Sequence, residues 1–124
     1  MTPDVRRYER SSAGNGYHVG FRCGGQRFSG LAVATLSAGG CSFAAPEALV
    51  DLLDRIEVGG TFEEVVLEHD GLPREPLRAR VAYTLGRHPH MVGLEFLEVP
   101  APFRQLLLDQ VRLLVQQQRS MSGY

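Results

Sequence analysis

Lysine is absent from this chain, and all 13 of its basic residues are arginine. Any anion the protein meets is therefore met by a planar fork rather than a point charge. The formal net charge is −1, so the overall field does not draw the molecule onto nucleic acid or an anionic membrane. An anion has to be caught by a local patch. Long apolar runs are missing as well. None approaches the ~20 residues that cross a bilayer as a helix, so membrane insertion is not expected. No apolar segment follows the charged start Met1 to Arg7, so no secretory signal is expected either. The two cysteines, Cys23 and Cys41, make no metal-ligand pattern. These absences lead to the expectation of a cytoplasmic protein with reduced thiols. There is no internal repeat and no linker between domains.

What is present fits one domain with an ordinary core: 124 residues, 44% hydrophobic and 22% charged. The chain is organised around Thr35-Leu36-Ser37-Ala38-Gly39-Gly40-Cys41. Apolar sequence flanks it, Leu31 to Ala34 before and Phe43 to Ala45 after, which reads as strand, turn, strand. The turn offers a Ser hydroxyl and a Gly-rich backbone that a ligand can approach closely.

Strands are expected at Tyr17 to Arg22, Phe28 to Leu36, Cys41 to Ala45, Thr61 to Glu68, Leu77 to Leu85 and Met91 to Val99. The clearest is Leu77 to Leu85, where Leu77, Ala79, Val81, Tyr83 and Leu85 alternate with Arg78, Arg80, Ala82 and Thr84. Glu47 to Asp54 has apolar residues enough for a helical turn or two after Pro46. After Pro100-Ala101-Pro102, the residues Phe103, Leu106, Leu107, Val111, Leu114 and Val115 recur at helical spacing as far as Arg119. The expected fold is mainly β: a small six-stranded antiparallel β-barrel with a C-terminal α-helix. Residues 1–16 read as a flexible arm because Ser11 to Gly16 has a linker composition, and residues 17–124 read as the barrel domain.

Arg6 and Arg10 share a side whether their stretch is helical or extended, with Arg7 between them. Such a pair suits a ligand with several acceptors and flat rings, or it is a solvated leader. Ser37, Gly39 and Gly40 are equally open between a ligand cradle and a plain turn. Catalysis finds no support. Thr35 to Gly39 lacks the leading Gly of a nucleophile elbow. His69, His88 and His90 lie in turns without a helical partner. Glu63 and Glu64, adjacent on a strand, are expected to point to opposite faces and so make no acid/base pair.

The order of these features is more specific than any one of them. An Arg-x-x-x-Arg (Arg6 to Arg10) precedes the first strand, and Thr35 to Gly40 supplies x-x-Ser-x-x-Gly at the end of the second. Gly93-Leu94-Glu95-Phe96 and an amphipathic helix follow. In this order the chain resembles the PilZ domain, a bacterial receptor for the second messenger cyclic di-GMP. The resemblance implies a receptor or adaptor rather than an enzyme, with no cofactor and cyclic di-GMP as the ligand. The implied ligand-binding residues are Arg6, Arg7, Arg10, Thr35, Ser37, Gly39 and Gly40. It also implies that the arm orders over the nucleotide and that signalling runs through an unknown downstream protein, and it leaves a homodimer open. Where the family has Asp or Asn at the head of the second motif, this chain has Thr35. A hydroxyl accepts guanine N–H donors less well than a carboxylate, and a lost bidentate contact costs about 1–3 kcal/mol. The alternative reading is a degenerate PilZ-like protein-interaction module that does not bind the nucleotide.

Overall fold

The computed structural model describes residues 10–13, 16–23, 25–45, 57–86 and 90–122. The helical turns expected over Glu47 to Asp54, the turn residues Arg87 to Pro89, and Arg6 and Arg7 of the arm lie outside the described residues. Among the described residues, seven strands run in chain order as β1 (Arg10–Ser12), β2 (His18–Cys23), β3 (Gln26–Ser37), β4 (Gly40–Ala45), β5 (Thr61–Glu68), β6 (Leu77–Leu85) and β7 (His90–Leu97). Helix α1 (Ala101–Ser122) follows them.

The sheet order is β1-β3-β2-β5-β6-β7-β4, and β4 pairs back onto β3. Strands β2 to β7 thus form a closed antiparallel barrel of six, as expected, with no open edge of their own. β1 is an addition to that plan. Arg10, Ser11 and Ser12 pair with Ser37, Leu36 and Thr35 of β3. The serines that read as linker are strand because β3 offers them a ladder, and tertiary pairing overrides a weak local composition.

The interior is apolar and continuous. Phe21 stands at its centre, stacked on Phe62 at 4.5 Å between centroids and tilted against Phe28 and Phe43 at 5.7 and 5.6 Å. Val19, Leu36, Leu67, Val81, Val92 and Leu94 surround it, all fully buried. Each such side chain contributes about 1.5–3 kcal/mol by leaving water.

Bulges correct the simple alternation, among them a shift between β2 and β3 from Val19↔Leu31 to Phe21↔Phe28. In β3 the register passes from Val33↔Phe43 to Thr35↔Ser42, so Ala34 is an extra residue. In β6 it passes from Val81↔Leu94 to Tyr83↔Gly93, so Ala82 is extra. In β5 it shifts between Phe62 and Val65. There Glu63 and Glu64 do not take opposite faces as their adjacency suggested. Both are exposed, Glu63 paired with Arg78 at 3.2 Å and Glu64 with Arg22 at 3.0 Å.

Helix α1 starts where Pro100 offers its carbonyl to the Arg104 N–H at 2.9 Å, a first turn in which Pro102 needs no donor. Phe103, Leu107, Val111 and Leu114 form its buried stripe. Gln110 Oε1 accepts the Tyr17 hydroxyl at 2.5 Å, and Gln118 Nε2 donates to the Ser12 carbonyl at 3.0 Å. The helix is thereby fixed to the strand that carries Arg10.

Candidate functional site

The bulges in β3 and β6 build one surface. Without an extra residue at Ala34, Thr35 and Ser37 would follow Leu31 and Val33 into the core. With it, Leu36 turns inward and is fully buried, and Thr35 and Ser37 turn outward. The antiparallel registers then set two cross-strand rows on the outer face. One row is Arg10, Ser37, Gly40, Glu95 and Arg80. The next is Ser12, Thr35, Ser42, Gly93 and Tyr83.

A small cavity, partly open to solvent, lies over these rows. Arg10, Thr35, Ser37, Gly40, Cys41, Tyr83 and Leu94 line it. The structure thus brings together four of the residues singled out in the sequence, Arg10 from the first motif and Thr35, Ser37 and Gly40 from the second. Gly39 stands apart from the lining. It occupies the turn, donates its N–H to Ser37 Oγ at 3.1 Å, and accepts from the Phe96 N–H at 2.8 Å.

Ser37 is buried, and its hydroxyl donates to the Gly40 carbonyl at 3.3 Å. The side chain therefore closes the turn as well as bordering the cavity. Thr35 Oγ1 lies 2.6 Å from Ser42 Oγ. Two hydroxyls share one hydrogen bond there, which leaves one of their two protons for another acceptor. Gly40 is required by packing, because a Cβ at that position would strike the Leu94 carbonyl oxygen. At the far end of the first row, buried Glu95 is paired with Arg80. A desolvated carboxylate without that partner would be costly.

Cys41 is buried behind the turn, and burial pushes its thiol up to about 12, so it is a neutral wall and not a nucleophile. His69 stacks on Tyr17 at 3.9 Å and accepts the Gly71 N–H on Nδ1 at 2.9 Å, a structural role. Among the described residues no group of His, Cys, Asp and Glu is placed to hold a metal, and no helix is long and apolar enough to cross a membrane. Tyr83, Cys41 and Leu94 are the cavity residues that sequence reasoning missed. For Tyr83 the strand alternation pointed to the core, and only the pairing with Gly93 reveals otherwise.

A closed six-stranded barrel with a C-terminal helix and a cavity beside the β3–β4 turn defines a recognisable class of small domain. The chain belongs to the PilZ domain family, whose model matches residues 4–113. It matches no curated protein. Among solved structures it is similar to the PilZ domain with c-di-GMP of YcgR from Escherichia coli, at 16% identity and a TM-score of 0.66, covering 95% of this chain and 97% of that one. It is also similar to YcgR in complex with c-di-GMP, at 18% identity and a TM-score of 0.74, covering 95% of this chain and 49% of that one. A third similar structure is the Bacillus subtilis inhibitor of motility MotI/DgrA, at 17% identity and a TM-score of 0.67, covering 93% of this chain and 52% of that one. The chain spans nearly all of the first structure and about half of the other two. At these identities the likeness shows the fold.

Proposed function

We propose that this chain is a cyclic di-GMP receptor and not an enzyme. It binds the nucleotide over the β3–β4 turn, orders its arginine arm on the ligand, and passes the signal on by protein contact in a bacterial cytoplasm. The observation that carries the reading is that Arg10 of the first motif borders one cavity together with Thr35, Ser37 and Gly40 of the second. Two structures similar in fold are of YcgR with c-di-GMP, which supports the same ligand class here. Chemically, Arg6, Arg7 and Arg10 provide forks for guanine edges and phosphates. The Thr35–Ser42 hydroxyl pair has a proton to give a phosphate oxygen. Gly40, without a side chain, keeps the floor low. Calorimetry with cyclic di-GMP tests this. Wild type gives saturable heat, and the Arg6→Ala, Arg10→Ala double variant gives none. Silence from wild type at high micromolar nucleotide, or equal binding by the variant, refutes it.

A second reading, a protein-interaction module without nucleotide, is favoured by one observation. The Thr35 and Ser37 hydroxyls are both already engaged within the protein. A pull-down that finds no partner, alongside a clear rise in melting temperature with cyclic di-GMP, counts against it.

A further inference from the structure

Tyr83 borders the cavity, yet the motif residues give it no role. Continued alternation in β6 would send it inward after Leu77, Ala79 and Val81. The extra residue Ala82 turns it outward instead and sets it opposite Gly93. Gly93 has no side chain, and ring atoms Cδ2, Cε2 and Cζ of Tyr83 occupy the place its Cβ would take. The half-buried ring is thus held against the β7 backbone on the same outer face as Arg10, Thr35 and Ser37. An aromatic ring already fixed by packing loses little freedom when a flat ligand arrives, and it presents a π surface beside an arginine.

We propose that Tyr83, seated on Gly93, is a stacking platform for one purine base of the bound nucleotide. The inference rests on the receptor reading above and deepens it. The arginines and hydroxyls address phosphates and base edges, and the tyrosine addresses the flat face of a base. Because every base has a π face, the contact adds affinity without choosing guanine, and the choice stays with the hydrogen-bonding groups.

The test uses the full chain and cyclic di-GMP, by calorimetry with melting curves on each variant. Tyr83→Phe keeps the ring and binds within about twofold of wild type, while Tyr83→Leu binds about tenfold or more weakly. Gly93→Ala leaves the tyrosine in place but displaces its ring, and it weakens binding as Tyr83→Leu does. A second readout is independent of affinity. The chain contains no tryptophan, so Tyr83→Trp carries a lone indole whose emission is quenched at saturating nucleotide. Tyr83→Leu binding like wild type, or unchanged emission from Tyr83→Trp at saturation, overturns the platform and leaves the receptor reading standing. Absence of heat from wild type overturns both.

Discussion

Where β2, β5 and the start of β6 meet solvent, the barrel carries charge in compensated pairs. Where β1, β3, β4 and β7 meet it, the barrel carries hydroxyls, glycines and a cavity. On the first half Arg22 holds Glu64, and Arg78 lies between Glu63 and Glu98. On the second half small side chains keep the surface low, and two bulges swing polar and aromatic residues out of the core onto it. Each half has a bulge with an opposite outcome. The one in β5 places two carboxylates where neighbouring arginines neutralise them, and those in β3 and β6 place groups around empty space. A bulge by itself only changes which face a residue takes. The neighbouring strands decide whether that residue meets an opposite charge or borders a cavity.

The largest effect expected from the cavity half comes from the thiol beneath it. Burial raises Cys41 from an ordinary value near 9 to about 12. The folded state therefore holds this proton after the unfolded chain has lost it, so stability is full below pH 9 and declines as pH rises toward 12. Between those values the slope is about 1.4 kcal/mol per pH unit. Denaturant titrations at a series of alkaline pH values check it, and Cys41→Ala should lose that component of the slope whatever its stability at neutral pH.

Gly40→Ala comes next. The new Cβ meets the Leu94 carbonyl, a backbone group that cannot swing aside. Separating β4 from β7 should cost about 2–3 kcal/mol in chemical denaturation, with loss of nucleotide binding because the cavity floor moves.

Thr35→Asp should sharpen the contrast between the halves rather than erase it. A carboxylate at this site can accept the Ser42 hydroxyl that now meets Thr35 Oγ1, and it can still receive guanine N–H donors. Calorimetry should show binding tighter by about 1–2 kcal/mol, roughly tenfold. Binding no tighter in a variant that folds normally would mean that residue 35 does not face a guanine.

The sequence allowed the barrel to be read because its strands are short, apolar on one side and divided by strong turns. Leu77–Leu85 and Thr61–Glu68 are observed with the ends expected for them. What stayed illegible is what depends on a neighbouring strand. Ala34 and Ala82 look like ordinary strand residues, and only the registers with β4 and β7 make them extra. Ser11 and Ser12 carry no strand propensity, and β3 supplies it. The motif residues were visible through resemblance, whereas Tyr83 was assigned to the core by an alternation that fails one residue before it.

The smallest effects belong to the charged half. Glu63→Gln removes one arm of an exposed pair whose side chains are 49% and 57% accessible. Both groups are already well hydrated, and holding two long side chains together costs entropy. The change should therefore stay within about 0.5 kcal/mol and shrink further in high salt. Glu63 is a cleaner choice than Glu64, which has a φ of 54°. Replacing Glu64 would mix the loss of the Arg22 pair with altered backbone strain. Nucleotide affinity should be unchanged in Glu63→Gln, because β5 contributes no residue to the cavity lining. If calorimetry instead finds the affinity altered severalfold, the two halves of the surface are coupled through β6, the strand that carries both Arg78 and Tyr83.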